Sequence, residues 1–115
     1  MNASVLDPKV LSSLEELGGR GLLAEMAAAA LTQGEERMVA LEGCRREGDI
    51  LALGRVAHAL RSSAAALGAR RLEEACSTVE QATKRFAGED LDAMVGELKA
   101  AYRQAEGAWR ELVET

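Results

Sequence analysis

Residues 55–69 read RVAHALRSSAAALGA and contain the only histidine of the chain, His58. In and just before this stretch, apolar residues recur at alternating steps of four and three positions. They are Leu53, Ala57, Leu60, Ala64 and Leu67. This spacing is typical of a helix with one buried face. The stretch therefore predicts a helix over about 50–67, which we call the histidine helix, packed against other helices.

His58 lies one residue away from the buried seam, on a flank that is mostly polar. Arg55 and Arg61 lie three residues to either side and Ser62 lies four residues on, so all three share its face. A neutral imidazole is nucleophilic near pH 7, and guanidinium groups bind phosphoryl oxygens. Ser62 and Ala65 are small and leave room for a partner protein. The pattern suits a transient phosphoryl acceptor; the alternative is a surface histidine beside solvated arginines.

Composition predicts an all-α protein. Apolar residues make up 48% of the 115 residues and aromatic residues only 3%. Strands are enriched in β-branched and aromatic residues, whereas this core must be built from leucine, alanine, valine and methionine. The length suits one domain, residues 1–115, with a single core.

The first half of the chain predicts a short helix followed by a long one. Asp7 is an N-cap candidate, Pro8 suits a first helical turn, and a pair of glycines after Leu17 ends the short helix. Its apolar positions are Leu11, Leu14 and Leu17. The next helix starts near Gly21 and stays in phase across Gly34, so we expect one long helix in which Gly34 is a position where a kink is allowed; a break there is the alternative.

The second half supplies the remaining helices of a bundle. Gly48 ends the long helix, Asp49 caps the histidine helix, and Gly68 ends it in a left-handed conformation. A further helix stops at Gly88, and Asp90 caps the last one. The helix before Gly88 has its seam, in the same steps of four and three, at Leu72, Cys76, Val79, Thr83 and Phe86. Short turns between long amphipathic helices predict an antiparallel up-down four-helix bundle with a short additional N-terminal helix.

The order of residue types from His58 to Ala69 resembles the signature of the histidine-containing phosphotransfer (HPt) domain family. In that family the histidine is followed two residues on by an apolar residue, then by a basic residue, a small residue and serine, and later by Leu-Gly-Ala or a similar sequence. The matching positions are Leu60, Arg61, Ser62, Ser63, Leu67, Gly68 and Ala69. Arginine stands where lysine is frequent and serine where glycine is frequent, and both keep the charge or the small size.

The resemblance implies a role in phosphorelay signalling. His58 would accept a phosphoryl group from a receiver-domain aspartyl-phosphate and pass it to another receiver aspartate. Arg61 would stabilise the phosphoryl group, Arg55 is a second candidate for that contact, and Ser62 marks the place of close approach. The expected partners are response-regulator receiver domains and a hybrid histidine kinase. The receiver would bring Mg²⁺, and we expect no cofactor of the chain's own.

Several classes of function are disfavoured by the sequence. A net charge of −5 and a pI near 4.9 argue against binding nucleic acid. No apolar stretch is long enough to cross a bilayer, and no secretory signal pattern is present, so we expect a cytoplasmic location. The glycines at 18, 19 and 21 lack the preceding strand and following lysine of a phosphate-binding loop. We therefore expect no ATP-dependent kinase activity.

Two other functions stay open. A histidine-kinase dimerisation domain also presents a helical histidine, but that family usually places an acidic residue directly after it, where this chain has Ala59. A helical adaptor that is never phosphorylated is the third possibility. The initial methionine and the caps at both ends favour a free-standing protein, and we expect a monomer because a bundle with its own closed core has no need to dimerise. Cys44 and Cys76 lack metal-site spacing, and Cys76 lies on an apolar stripe, which predicts a reduced core thiol.

Two arginines directly after the histidine helix have two interpretations. Arg70 and Arg71 either form the rim of a docking face or are ordinary charges at the start of the next helix.

Overall fold

The computed structural model describes residues 5–85 and 90–114, which form four α-helices and no strand. They are α1 (Pro8–Glu47), α2 (Ile50–Ala66), α3 (Arg70–Arg85) and α4 (Leu91–Glu114). Each helix packs against its neighbours in sequence, and α4 returns to pack against α1. Because the connections after α1 and α2 are short, neighbouring helices run antiparallel. The predicted all-α four-helix bundle is confirmed.

The predicted N-terminal helix is the first segment of α1 and not a separate element. Asp7 caps it, accepting a hydrogen bond from the backbone amide of Lys9 (2.9 Å). Gly19 has φ 75° and ψ −173°, which kinks α1 where the short helix was expected to end. Beyond Gly19 the helix runs unbroken through Gly34, as the in-phase spacing predicts.

Most of the predicted seams are buried. All five positions of the α2 seam are at most 2% exposed, and Trp109 and Tyr102 of α4 are the largest fully buried side chains. Gly34 is buried where α1 meets α4. A Cβ at this position would overlap the Tyr102 hydroxyl, so the close contact depends on glycine. Leu17 departs from the prediction: it is 80% exposed, whereas the other two leucines of that segment pack against the core.

Asp7, directly before α1, is bonded to the turn between α2 and α3. The Asp7 amide donates to the Gly68 carbonyl (2.8 Å), and the Asp7 carboxylate accepts from Arg70 Nε (2.9 Å). The hydrogen bond from Arg70 lowers the pKa of Asp7, followed in effect by that from Lys9. Gly68 has φ 73°, the left-handed conformation expected of the residue that ends the histidine helix. Arg70 is therefore engaged in holding the fold.

A charged cluster joins α1 to α4 near the opposite end of the bundle. Glu42 accepts hydrogen bonds from Arg45 (2.6 Å) and from Lys99. These bonds, Arg45 first, lower the pKa of Glu42 from 4.5 to about 2. Arg71 likewise reaches α4, donating to the Gln104 side chain (2.7 Å).

Two of the other predicted helix ends are confirmed, and one lies outside the described residues. Gly48 caps α1 with φ 71°, and the Asp49 side chain accepts from the Ala52 amide (3.2 Å), as predicted. Phe86 and Gly88 lie outside the described residues. Asp90 immediately precedes α4, and its carbonyl accepts from the amide of Met94 (3.0 Å).

Cys76 is fully buried, and burial followed by the nearby Glu80 charge raises the pKa of its thiol to about 12. Cys44 and Cys76 are both free thiols and form no disulfide with each other. Among the described residues, no helix is long and apolar enough to span a membrane.

Candidate functional site

Helix α2 presents His58 at the middle of its length and on its open side. Ala57, the residue before it, is fully buried in the seam, whereas the His58 side chain is 57% exposed. A step of one residue turns the side chain by about 100° around a helix axis, which carries it from the core to the flank. The predicted exposure of the imidazole is therefore present in the structure.

A carboxylate from α3 contacts the imidazole. Glu80 Oε2 lies 2.9 Å from His58 Nδ1, and the Glu80 side chain is only 13% exposed. An ionised carboxylate can only accept a hydrogen bond, so Nδ1 carries the proton. In the neutral ring the other nitrogen, Nε2, then holds the free electron pair. No hydrogen bond to Nε2 is found within residues 5–85 and 90–114.

The motif gives no hint of Glu80, which lies 22 residues after His58 and on another helix. One sequence signal was available. Glu80 directly follows the buried Val79 of the α3 seam, so it lies on a flank of α3 in the way that His58 lies on a flank of α2. To predict that these two flanks meet, one needs the register between α2 and α3. The spacing of residues within each helix does not give that register.

Arg61 lies close to both partners. Its guanidinium is 3.5 Å from Glu80 Oε1 and 3.5 Å from His58 Nδ1. Nδ1 cannot donate to the carboxylate and accept from arginine at the same time. Because the contact with Glu80 is the shorter, at 2.9 Å, we assign the hydrogen bond of Nδ1 to Glu80. Arg61 then forms an ion pair with Glu80. The Arg61 side chain is 39% exposed, so it can reach an incoming anion by a change of rotamer.

An open groove of about 450 Å³ runs beside the imidazole between α2 and α3. It is lined by Leu51, Gly54, Arg55, His58, Glu80, Thr83 and Lys84. Arg55, a sequence candidate, is thus at the site, and Lys84 joins it from α3 without having been predicted. Two cations against one carboxylate line this groove, although the chain as a whole carries −5.

Ser62 has its hydroxyl turned back along α2. Its Oγ donates to the His58 carbonyl (3.4 Å), which holds the small side chain against its own helix. The sequence predicts close approach of a partner at this small residue, and that role stays a prediction. In the part of the chain that the structure describes, no three histidine, cysteine or acidic side chains converge as a metal site.

The chain was also compared with known proteins. A family model described as the Hpt domain matches residues 12–111. The chain belongs to the Hpt domain family. This Hpt domain is therefore a histidine phosphotransfer domain of the phosphorelay type, and the family's partners are receiver domains and kinases.

The fold agrees with a solved Hpt structure. The crystal structure of histidine-containing phosphotransfer protein B from Pseudomonas aeruginosa PAO1 superposes with a TM-score of 0.89 at 22% identity, covering 97% of this chain and 96% of that chain. At this identity the likeness shows the fold. A search of curated proteins found no match.

Proposed function

We propose that His58 is the phosphoryl acceptor of this Hpt domain, taking the group from the aspartyl-phosphate of one receiver domain and passing it to the aspartate of another. The observation that carries the proposal is the state of the imidazole: it is 57% exposed at mid-helix, Nδ1 is bound to Glu80, and no described residue is hydrogen-bonded to Nε2. A receiver can reach Nε2 only by docking against the side of α2.

The transfer step follows from the tautomer. The Nε2 electron pair attacks phosphorus, the bond from phosphorus to the aspartyl oxygen breaks, and the aspartate leaves as a carboxylate. The ring still carries its Nδ1 proton and so becomes a phosphorylated imidazolium. The Glu80 carboxylate accepts that proton's hydrogen bond, with Oε2 lying 2.9 Å from Nδ1, and stabilises the positive charge that develops.

The surrounding cations favour an anionic partner surface. Arg61 provides forked donors for phosphoryl oxygens, and Arg55 and Lys84 line the groove where the acidic site of a receiver would lie. The receiver would supply Mg²⁺ and most of the transition-state stabilisation. Exposed Leu51, at 66%, adds an apolar contact at the same edge of the groove.

A monomer is sufficient for this role. The four helices of one chain enclose the core, so no second copy is needed to complete the bundle. A histidine-kinase dimerisation domain is built from two copies of a helical pair, and a bundle closed within one chain argues against that alternative.

The test uses receiver domains encoded in the same genome, each phosphorylated with acetyl phosphate and Mg²⁺ and then mixed with this protein. We expect one phosphoryl group per chain by mass spectrometry, acid-labile and alkali-stable. The label should be absent from His58→Ala with an unchanged circular dichroism spectrum. Because the chain has a single histidine, survival of the label in this variant would refute the assignment. ATP alone should give no label, and autophosphorylation would favour the dimerisation-domain alternative.

A further inference from the structure

Helices α2 and α3 come close together one turn before His58. A Cβ on Gly54 would lie 2.6 Å from Thr83 Oγ1 and 3.4 Å from Thr83 Cβ. Thr83 is 5% exposed, and its hydroxyl donates to the Glu80 carbonyl (2.6 Å). The spacing of the two helices at this level therefore depends on the absence of a side chain at position 54.

The same spacing sets the geometry of the site. In this antiparallel pair, Gly54 faces Thr83, and His58, one turn later in α2, faces Glu80, one turn earlier in α3. The hydrogen bond between His58 and Glu80 spans the gap between α2 and α3 directly. Any displacement that separates the helices at Gly54 is passed to this bond, because helices move as rigid rods over a single turn.

We infer that Gly54 is a positioning residue: by keeping α3 close to α2, it holds Glu80 within hydrogen-bonding reach of Nδ1 and so fixes the tautomer of His58. This inference rests on the proposed function for its consequence in transfer, but its structural content can be tested without a phosphoryl group.

The expected displacement can be taken from the distances. Moving Thr83 Oγ1 from 2.6 Å to 3.4 Å, where ordinary contact begins, needs a shift of about 0.8 Å. A shift of that size would lengthen the 2.9 Å bond beyond hydrogen-bonding range. Thr83 does not turn aside freely, since it is β-branched and its hydroxyl is already bonded to Glu80.

The experiment follows the ring nitrogens of His58 by ¹⁵N NMR at about pH 9, where an ordinary imidazole is neutral. The wild-type protein should show the Nδ1–H tautomer, and Gly54→Ala should lose it and transfer phosphoryl groups about tenfold more slowly. Gly96→Ala is the matched control: it is a helical glycine with nothing within 4 Å of an added Cβ, and should change neither readout.

A second variant keeps the inference testable if Gly54→Ala folds poorly. Thr83→Ala removes the hydroxyl that the added Cβ would meet. The double variant, Gly54→Ala with Thr83→Ala, should therefore regain the fold and the Nδ1–H tautomer. Retention of the wild-type tautomer in Gly54→Ala overturns the inference, and so does failure of the double variant to restore it. If the wild-type protein is never phosphorylated, the proposed function fails while the tautomer result still stands.

Discussion

Replacing Glu80 by alanine tests the chemistry of the site most directly. The substitution removes the acceptor 2.9 Å from His58 Nδ1 and the charge that holds Arg61. A hydrogen bond to a charged group contributes about 1.5–3 kcal/mol when well shielded from water. The His58 side chain is 57% exposed, so the lower end applies. About 1.5 kcal/mol corresponds to roughly a tenfold change in the ratio of the two tautomers.

We therefore expect Glu80→Ala to slow single-turnover transfer from a phosphorylated receiver about tenfold, measured by rapid quench. Glu80→Gln should fall between wild type and alanine, because an amide oxygen can still accept from Nδ1 but carries no charge. Glu97→Ala is the matched control, since it removes an acidic residue that is 75% exposed on α4, away from the imidazole. It should transfer at the wild-type rate.

Two results would refute the reasoning. Glu80→Ala could transfer as fast as wild type, which would mean that the carboxylate does not assist the nucleophile. Alternatively, the ¹⁵N spectrum of the variant could still show Nδ1–H as the dominant tautomer, which would mean that another group fixes the proton.

Four further substitutions give separate predictions. Arg61→Ala should slow transfer while changing the free energy of unfolding by no more than about 0.5 kcal/mol; a large fall in melting temperature would show that the residue is structural. Gly48→Ala should cost about 1–2 kcal/mol in urea unfolding because φ is 71°. Gly68→Ala, with φ 73°, should cost more, since its Cβ would also meet a backbone amide at 3.0 Å; equal losses would contradict this. The lowered pKa of Glu42 means that its stabilisation is complete above pH 4.5 and is lost as pH falls towards about 2. The stability difference between wild type and Glu42→Gln should therefore shrink on acidification, and a pH-independent difference would rule out this account.

The fold was largely predictable because its determinants are local. The α2 seam follows from helical spacing, and Asp7, Asp49 and Gly68 each begin or end a helix at their own position in the chain. Exposed Leu17 was not predictable, because it sits on the last turn before the Gly19 kink and only the packed structure shows which side of that turn faces the core.

The site was predictable only in the part that comes from one helix. His58, Arg55, Arg61 and Ser62 lie on α2, and their shared face follows from their spacing, although their roles in transfer stay predictions. Glu80 and Lys84 come from α3, and their arrival at the imidazole depends on how the two helices are paired.

The contact made by Arg70 was also not predictable from the spacing within one helix. The sequence left open whether it borders the docking face, and its partner, Asp7, lies 63 residues away in the chain.

The bond of Nδ1 to Glu80 leaves Nε2 as the ring nitrogen that a receiver can reach, and this has a kinetic consequence for the proposed relay. Donor and acceptor receivers must use the same nitrogen and the same side of α2, so they cannot be bound together. The loaded domain has to dissociate from one before it meets the other. Turnover should then follow ping-pong kinetics, and an excess of the dephosphorylated donor should inhibit delivery by competing for the docking face.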